Sequence, residues 1–151
     1  MTQKKIPNCI GVIMDGNRRW AKGKGQLALK GHEAGGETLK KVVKWSRDSG
    51  VNHIIFFTFS TENWNRAPEE VIYLLNLIGV FLKKELNEFH TEGGVLHFVG
   101  DLSRFSKELQ ETLKEAEEKT SKNKGRFCEQ IKYFICLFVV IIIFIKTKTD
   151  L

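Results

Sequence analysis

Ile13-Met14-Asp15-Gly16-Asn17-Arg18-Arg19-Trp20-Ala21 follows an apolar run, Cys9–Ile13, that reads as a buried strand. Asp15-Gly16 breaks the pattern, so the carboxylate sits where that strand ends. In an open α/β sheet, ligands bind at the carboxyl ends of the strands. A carboxylate, an amide and two guanidiniums just after a strand end make a poor core and a good site. The carboxylate can hold Mg²⁺ through oxygen. The arginines can fork onto phosphate oxygens. A polar strand-to-helix turn with a solvated basic face is the plainer alternative, and this stretch alone leaves it open.

Outward from this stretch the pattern alternates. A Gly-rich polar segment (23–31) precedes a helix over 33–49, with Leu39, Val42, Val43 and either Trp45 or Ser46 on its apolar face. Gly50 closes it as a C′ residue. A second strand over 51–59 has the continuous apolar character of one covered on both faces. A polar loop (60–67) leads to Pro68, which opens a helix reaching about residue 89. A third strand (95–99), a loop at Gly100-Asp101-Leu102-Ser103 and a charged helix (106–119) complete a βαβαβα order. That order predicts an α/β fold with a parallel sheet and right-handed crossovers.

The chain has 151 residues, about one domain, and its 42% hydrophobic content suffices for a core. Net charge is 24 − 18 = +6. That balance fits nucleic acid, anionic membrane or phosphorylated small molecules. No nucleic-acid motif is present: there is no Cys/His finger spacing and no basic stripe interleaved with aromatics. Cys9, Cys128 and Cys136 lack metal-ligand spacing, and their odd number points to a reducing compartment. Residues 1–7 are polar with no signal-peptide core, so a cytoplasmic location is expected.

The character changes near residue 126. Thirteen uncharged residues, 133–145, lie between Lys132 and Lys146. A membrane-spanning helix needs about 20, so the run is short for a span, and its β-branched composition suits a strand or an aggregate. Its Phe, Ile, Lys and Tyr content is what A/T-rich codons specify. Residues 126–151 therefore read either as the product of a frameshift or truncation, or as a membrane-tethering tail. The second reading would place the chain at the membrane surface.

Two further constellations follow the first. Gly31-His32-Glu33-Ala34-Gly35 puts an imidazole at a helix start, beside backbone donors that suit a diphosphate; alone, a histidine so placed is more often solvated or capped. Phe59-Ser60-Thr61-Glu62-Asn63-Trp64-Asn65-Arg66 again follows a strand. Together with Gly100-Asp101-Leu102-Ser103-Arg104-Phe105, and in this order, these stretches resemble the signature motifs of the cis-prenyltransferases, the undecaprenyl diphosphate synthase or isoprenyl transferase family, over roughly residues 8–125.

The resemblance implies a three-layer α/β sandwich with a mainly parallel sheet, here incomplete at the C-terminus. Residues 1–125 would be the N-terminal part of the family domain and 126–151 a tail foreign to it. It implies a Mg²⁺-dependent transferase in which an allylic diphosphate such as farnesyl diphosphate loses pyrophosphate and alkylates isopentenyl diphosphate. Proton loss then sets a cis double bond. By the same resemblance Asp15 is catalytic and holds the Mg²⁺, and Gly16, Asn17 and Arg19 contact the allylic diphosphate. Arg18 falls at a variable family position. Trp20 is carried over as a substrate-pocket residue, with ordinary core packing as the alternative. His32 becomes a diphosphate ligand. Asn63 is the family's proposed proton acceptor; an unaided amide is a weak base, so it would position the diphosphate or a water that takes the proton. Ser60, Thr61, Glu62, Trp64 and Arg66 are carried over as substrate-binding. The Gly100 segment reads as a structural helix entry, and the helix from Pro68 as one wall of a tunnel for the polyprenyl chain.

There are departures. Family members carry an Arg four residues before the His, where this chain has Ala28. Losing one guanidinium from a diphosphate site costs about 1.5–3 kcal/mol. Lys24 or Lys30 could stand in, without bidentate geometry. The family's later Arg-Thr-Gly-Gly-Glu-x-Arg-x-Ser segment, a later Glu and much of its homodimer interface are absent. Two readings follow: an active isoprenyl transferase, or a remnant or partner subunit that binds prenyl diphosphate without turnover.

Overall fold

The computed structural model describes residues 5–123 and, for 138–144, the backbone alone. In chain order come β1 (Cys9–Ile13), α1 (Asn17–Gly23), α2 (Ala28–Asp48), β2 (His53–Ser60), a 3₁₀ turn (Thr61–Asn65), α3 (Pro68–Thr91), β3 (Val95–Val99), α4 (Lys107–Thr120) and β4 (Phe138–Phe144). This is the α/β class the alternation predicts.

β1 and β2 pair in parallel, from Cys9 opposite His53 to Ile13 opposite Phe57. The Met14 N–H extends the ladder to Phe57 O at 3.1 Å. The two strands therefore end at one edge of the sheet, and the stretches after them, Asp15–Arg19 and Ser60–Arg66, emerge side by side.

The strand order is β1-β2-β4-β3. β4 runs antiparallel to both β2 and β3, so β1, β2 and β3 point the same way and only the inserted β4 is reversed; of the three pairings, β1–β2 is the parallel one. The β-branched run Phe138–Phe144 lies between β2 and β3 and pairs with both. The remainder of the apolar run at 133–145, and the boundary drawn at 125/126, lie outside the described residues. The outer edge of β3 is closed by α4. Leu96 N–H donates to Thr120 Oγ1 at 3.1 Å and Phe98 N–H to Glu117 Oε1 at 2.8 Å. Side chains that consume edge donors blunt further strand addition.

Ile54 and Phe56 of β2 are fully buried, with Phe98 of β3 and Leu109, Leu113 and Ala116 of α4 packed around them. Each large side chain so buried contributes about 1.5–3 kcal/mol. Ser46, not Trp45, takes the inner position on α2; Trp45 is 61% exposed. α2 begins at Ala28, five residues before the periodicity predicts, without a side-chain cap at Leu27. Gly31 falls in the Gly-rich segment in sequence, but here it and Gly35 are interior helix positions at which α1 approaches closely.

Candidate functional site

Asp15 stands one residue past the end of the β1 ladder. Gly16 turns the chain with φ +85°, a conformation that favours glycine. Its N–H donates to Asp15 Oδ1 at 2.5 Å, and Arg19 donates to Oδ2 at 3.0 Å from the first turns of α1. Both side chains are largely in solvent, so this pair adds little stability and leaves the carboxylate open to a ligand. Trp20 lies on the exposed side of α1 with the Lys24 ammonium 4.4 Å over its ring, and it lines only a small secondary cleft.

α1 is seated on α2 through glycine. A Cβ at Gly31 would lie 2.1 Å from the Asn17 backbone O, and one at Gly35 would lie 2.5 Å from Asn17 Nδ2. The first clash is with backbone and the second with a side chain. Gly31-His32-Glu33-Ala34-Gly35 thus holds Asn17 as well as supplying its histidine.

His32 is buried. Its Nε2 lies 3.2 Å from Oε1 of Glu70, in the first turns of α3. The same oxygen accepts from Arg66 at 3.0 Å and lies 3.7 Å from Arg18 Nε. Burial is the largest influence on the imidazole and lowers its pKa; Glu70 opposes this, and Arg66 and Arg18 reinforce it. A neutral His32 bonded to a carboxylate carries its proton on Nε2 and donates it. Burial is likewise the largest influence on Glu70 and pushes its pKa up. The bond from His32 and the charges of Arg18 and Arg66 together outweigh it, leaving the carboxyl below its ordinary value. Sequence reasoning missed Glu70. A Glu just inside a helix start reads as a macrodipole partner, and only the fold brings it to His32.

After β2, Ser60 and Asn63 cap each other: the Ser60 N–H donates to Asn63 Oδ1 at 3.0 Å, and the Ser60 hydroxyl receives the Asn63 N–H. The Asn63 oxygen is committed to the backbone, which leaves its NH₂ group as the end that could meet a ligand. Thr61 is exposed and lies off the cavity. Trp64 turns away from the cavity and packs edge-on against Phe59, with centroids 5.1 Å apart.

One cavity of about 1460 Å³ opens at this edge and runs between α2, α3 and the sheet. Asp15, Gly16, Asn17, Arg18, Arg19, His32, Ser60, Glu62, Asn63 and Arg66 line it, and Trp20, Thr61 and Trp64 do not. Leu39, Val43, Leu74, Ile78, Phe81 and Leu86 form an apolar wall, and charged residues of α2 and α3, among them Lys40, Lys44, Arg47, Glu85 and Glu88, also line the cavity. Ala28 also lines the cavity, whereas Lys24 is over Trp20 and Lys30 is paired with Glu33 at 2.8 Å. Lys22 and Gln26 line it nearby.

The model of a family described as putative undecaprenyl diphosphate synthase matches residues 13–134. The chain belongs to the undecaprenyl diphosphate synthase family. It is 42% identical over 125 residues to an isoprenyl transferase of Clostridium perfringens, which covers 83% of this chain and 49% of the relative. It is 40% identical over 123 residues to the farnesyl-diphosphate-specific ditrans,polycis-undecaprenyl-diphosphate synthase of Haemophilus influenzae, covering 82% and 52%. Among solved structures, lavandulyl diphosphate synthase from Lavandula x intermedia, in complex with dimethylallyl diphosphate, superposes with a TM-score of 0.73 at 30% identity, covering 80% of this chain and 52% of that one. A probable undecaprenyl diphosphate synthase from Campylobacter jejuni gives 0.59 at 26%, covering 82% and 52%. The chain spans about half the length of the curated synthases it matches. No helix among the described residues of this family member is long and apolar enough to cross a membrane.

Proposed function

We propose that this site binds an allylic diphosphate and serves isoprenyl transfer to isopentenyl diphosphate. The observation that carries this reading is one opening with two characters. Basic and amide side chains crowd its mouth, and an apolar passage continues inward from them. A diphosphate fits the first and a prenyl chain the second, at about 0.8 kcal/mol per buried CH₂.

The chain's own residues divide the work. Arg19 and Arg18 hold phosphate oxygens by forked, charge-assisted bonds. His32, neutral, spends its one N–H on Glu70 and keeps only an acceptor at Nδ1, so it braces the buried wall beside the diphosphate and does not donate to it. Asn17 brings its amide to the same place beside the turn at Gly16, and Asn63 and Arg66 line the opening from the end of β2. Pre-set donors aimed at a departing pyrophosphate stabilise the charge that develops as the allylic C–O bond breaks.

Among the described residues no three acidic, His or Cys side chains cluster as a closed metal cage. A solvent-facing Asp15 fits Mg²⁺ in the other way that ion is held, by one carboxylate, waters and the substrate's phosphates. When bound there it would neutralise diphosphate charge. The second reading, binding without turnover, is favoured by one observation: the methyl of Ala28 lies in the cavity wall where the family's motif carries an arginine.

Incorporation of labelled isopentenyl diphosphate into farnesyl diphosphate, with Mg²⁺ and with Asp15→Ala as the blank, decides between the two. Label above the blank supports transfer. Label equal to the blank, with farnesyl diphosphate bound, supports binding alone.

A further inference from the structure

The segment Gly100–Phe105 has no part in the chemistry above, yet it reaches the site indirectly. We infer that Arg104 is a positioning residue, which clamps Trp64 and thereby fixes Asn63 and Arg66 at the cavity mouth. The guanidinium carbon of Arg104 lies 4.1 Å over the Trp64 ring. The same indole meets Phe59 of β2 at 5.1 Å and Phe105 at 6.2 Å, and Phe59 meets Phe105 edge-on at 6.1 Å. Trp64 is thus held by the strand it follows, by the loop after β3 and by a cation.

This clamp matters because of what it holds. The 3₁₀ turn Thr61–Asn65 is five residues long. One isolated turn is marginal in water, since nucleation fixes several dihedrals for one hydrogen bond. Glu62 and Asn63 of the turn and Arg66 just after it line the cavity and bracket Trp64, which does not. Rotation of Trp64 would therefore swing the amide and the guanidinium out of the mouth. The loop that carries Arg104 is itself stiff. Gly100 turns with φ +135°, the Ser103 N–H donates to Asp101 Oδ1 at 2.9 Å, and the Phe105 N–H donates to Leu102 O at 3.0 Å. Ser106 then caps α4 through the Leu109 N–H at 3.2 Å. The chain of support runs from a braced loop, through a cation–π stack, to two cavity-facing side chains.

The inference rests on the proposed anion site only in its second readout, so the test has two. The first uses the whole chain with Trp20→Phe and Trp45→Phe, leaving Trp64 as the reporter. Arg104→Ala should raise acrylamide quenching of Trp64 about two- to threefold. Arg104→Lys, which keeps the charge and loses the planar stack, should fall between. Unchanged quenching in both variants overturns the clamp. The second readout is inorganic pyrophosphate binding by calorimetry, with all three tryptophans intact. Arg104→Ala should weaken it about fivefold, with partial rescue in Arg104→Lys and an unchanged far-ultraviolet spectrum. Undiminished affinity beside a lowered unfolding midpoint would make Arg104 merely structural and overturn the positioning role. Absence of pyrophosphate binding in the parent chain contradicts the proposed function, and the quenching result still decides the clamp. Should Arg104→Ala fail to fold, Arg104→Lys carries both readouts.

Discussion

The Nε2 of His32 lies 3.2 Å from Oε1 of Glu70, across the space between α2 and α3, and that one oxygen also receives Arg66 at 3.0 Å. Glu70 is 13% exposed, so the removal of its carboxylate strands a buried imidazole and a half-buried guanidinium. Glu70→Ala should cost about 2 kcal/mol in urea unfolding, in the range of hydrogen bonds to charged groups. Glu70→Gln, which keeps one acceptor, should cost less.

The same pair sets a pH dependence. Burial holds the folded His32 pKa below its ordinary 6.5, so the unfolded chain binds its proton first as pH falls. The associated stability is whole above pH 6.5 and is lost as pH drops from there towards the folded value. Glu70, also lowered in the fold, adds stability that is whole above its ordinary 4.5 and is lost below it. The urea midpoint should therefore fall in two stages on acidification. His32→Gln should flatten the first stage and leave the part of the second that comes from other carboxylates.

Long apolar runs and clean periodicity made β1, β2, β3, α3 and α4 legible, because burial on one or both faces leaves a pattern in the chain itself. The C-terminal strand ends, and hence the place of Asp15 and Ser60, followed from the same runs. Glu70 was not legible, since its meaning depends on a residue 38 positions away. The early start of α2 was hidden because glycine marks a turn far more often than a helix crossing, and only the approach of Asn17 shows the use. Trp64 looked like a ligand-facing aromatic; which way an indole points from a short turn is decided by Phe59, Phe105 and Arg104, not by its own motif.

The helix crossing makes a contrasting pair. Gly31→Ala drives a methyl into the Asn17 backbone, which cannot move alone. It should cost about 1–3 kcal/mol, as overpacking does. Gly35→Ala meets only the Asn17 side chain, which can rotate. It should change stability by less than about 1 kcal/mol, helped by helix propensity, and still weaken pyrophosphate binding. Unfolding curves and calorimetry on both variants check this.

Lys40 donates to Glu85 at 2.5 Å and to Glu88 at 3.2 Å, tying α2 to α3 along the cavity. The bond from Lys40 is the largest cause holding the Glu85 carboxyl below its ordinary value, and the other Glu85 oxygen has only the weaker ion pair to Lys84 Nζ at 3.5 Å. Lys40→Met should lower the thermal midpoint by about 2–4 °C, and adding Glu85→Leu should restore it, because the stranded carboxylate is then gone. A double variant no more stable than Lys40→Met would contradict this.

The central claim is that one opening recognises a diphosphate and an apolar chain together. Calorimetric titration of the whole chain with farnesyl diphosphate, pyrophosphate and farnesol, each with Mg²⁺, tests it most directly. The account predicts that farnesyl diphosphate binds at least tenfold more tightly than either part and that Arg66→Ala reduces this affinity. Farnesyl diphosphate binding no tighter than pyrophosphate would contradict it.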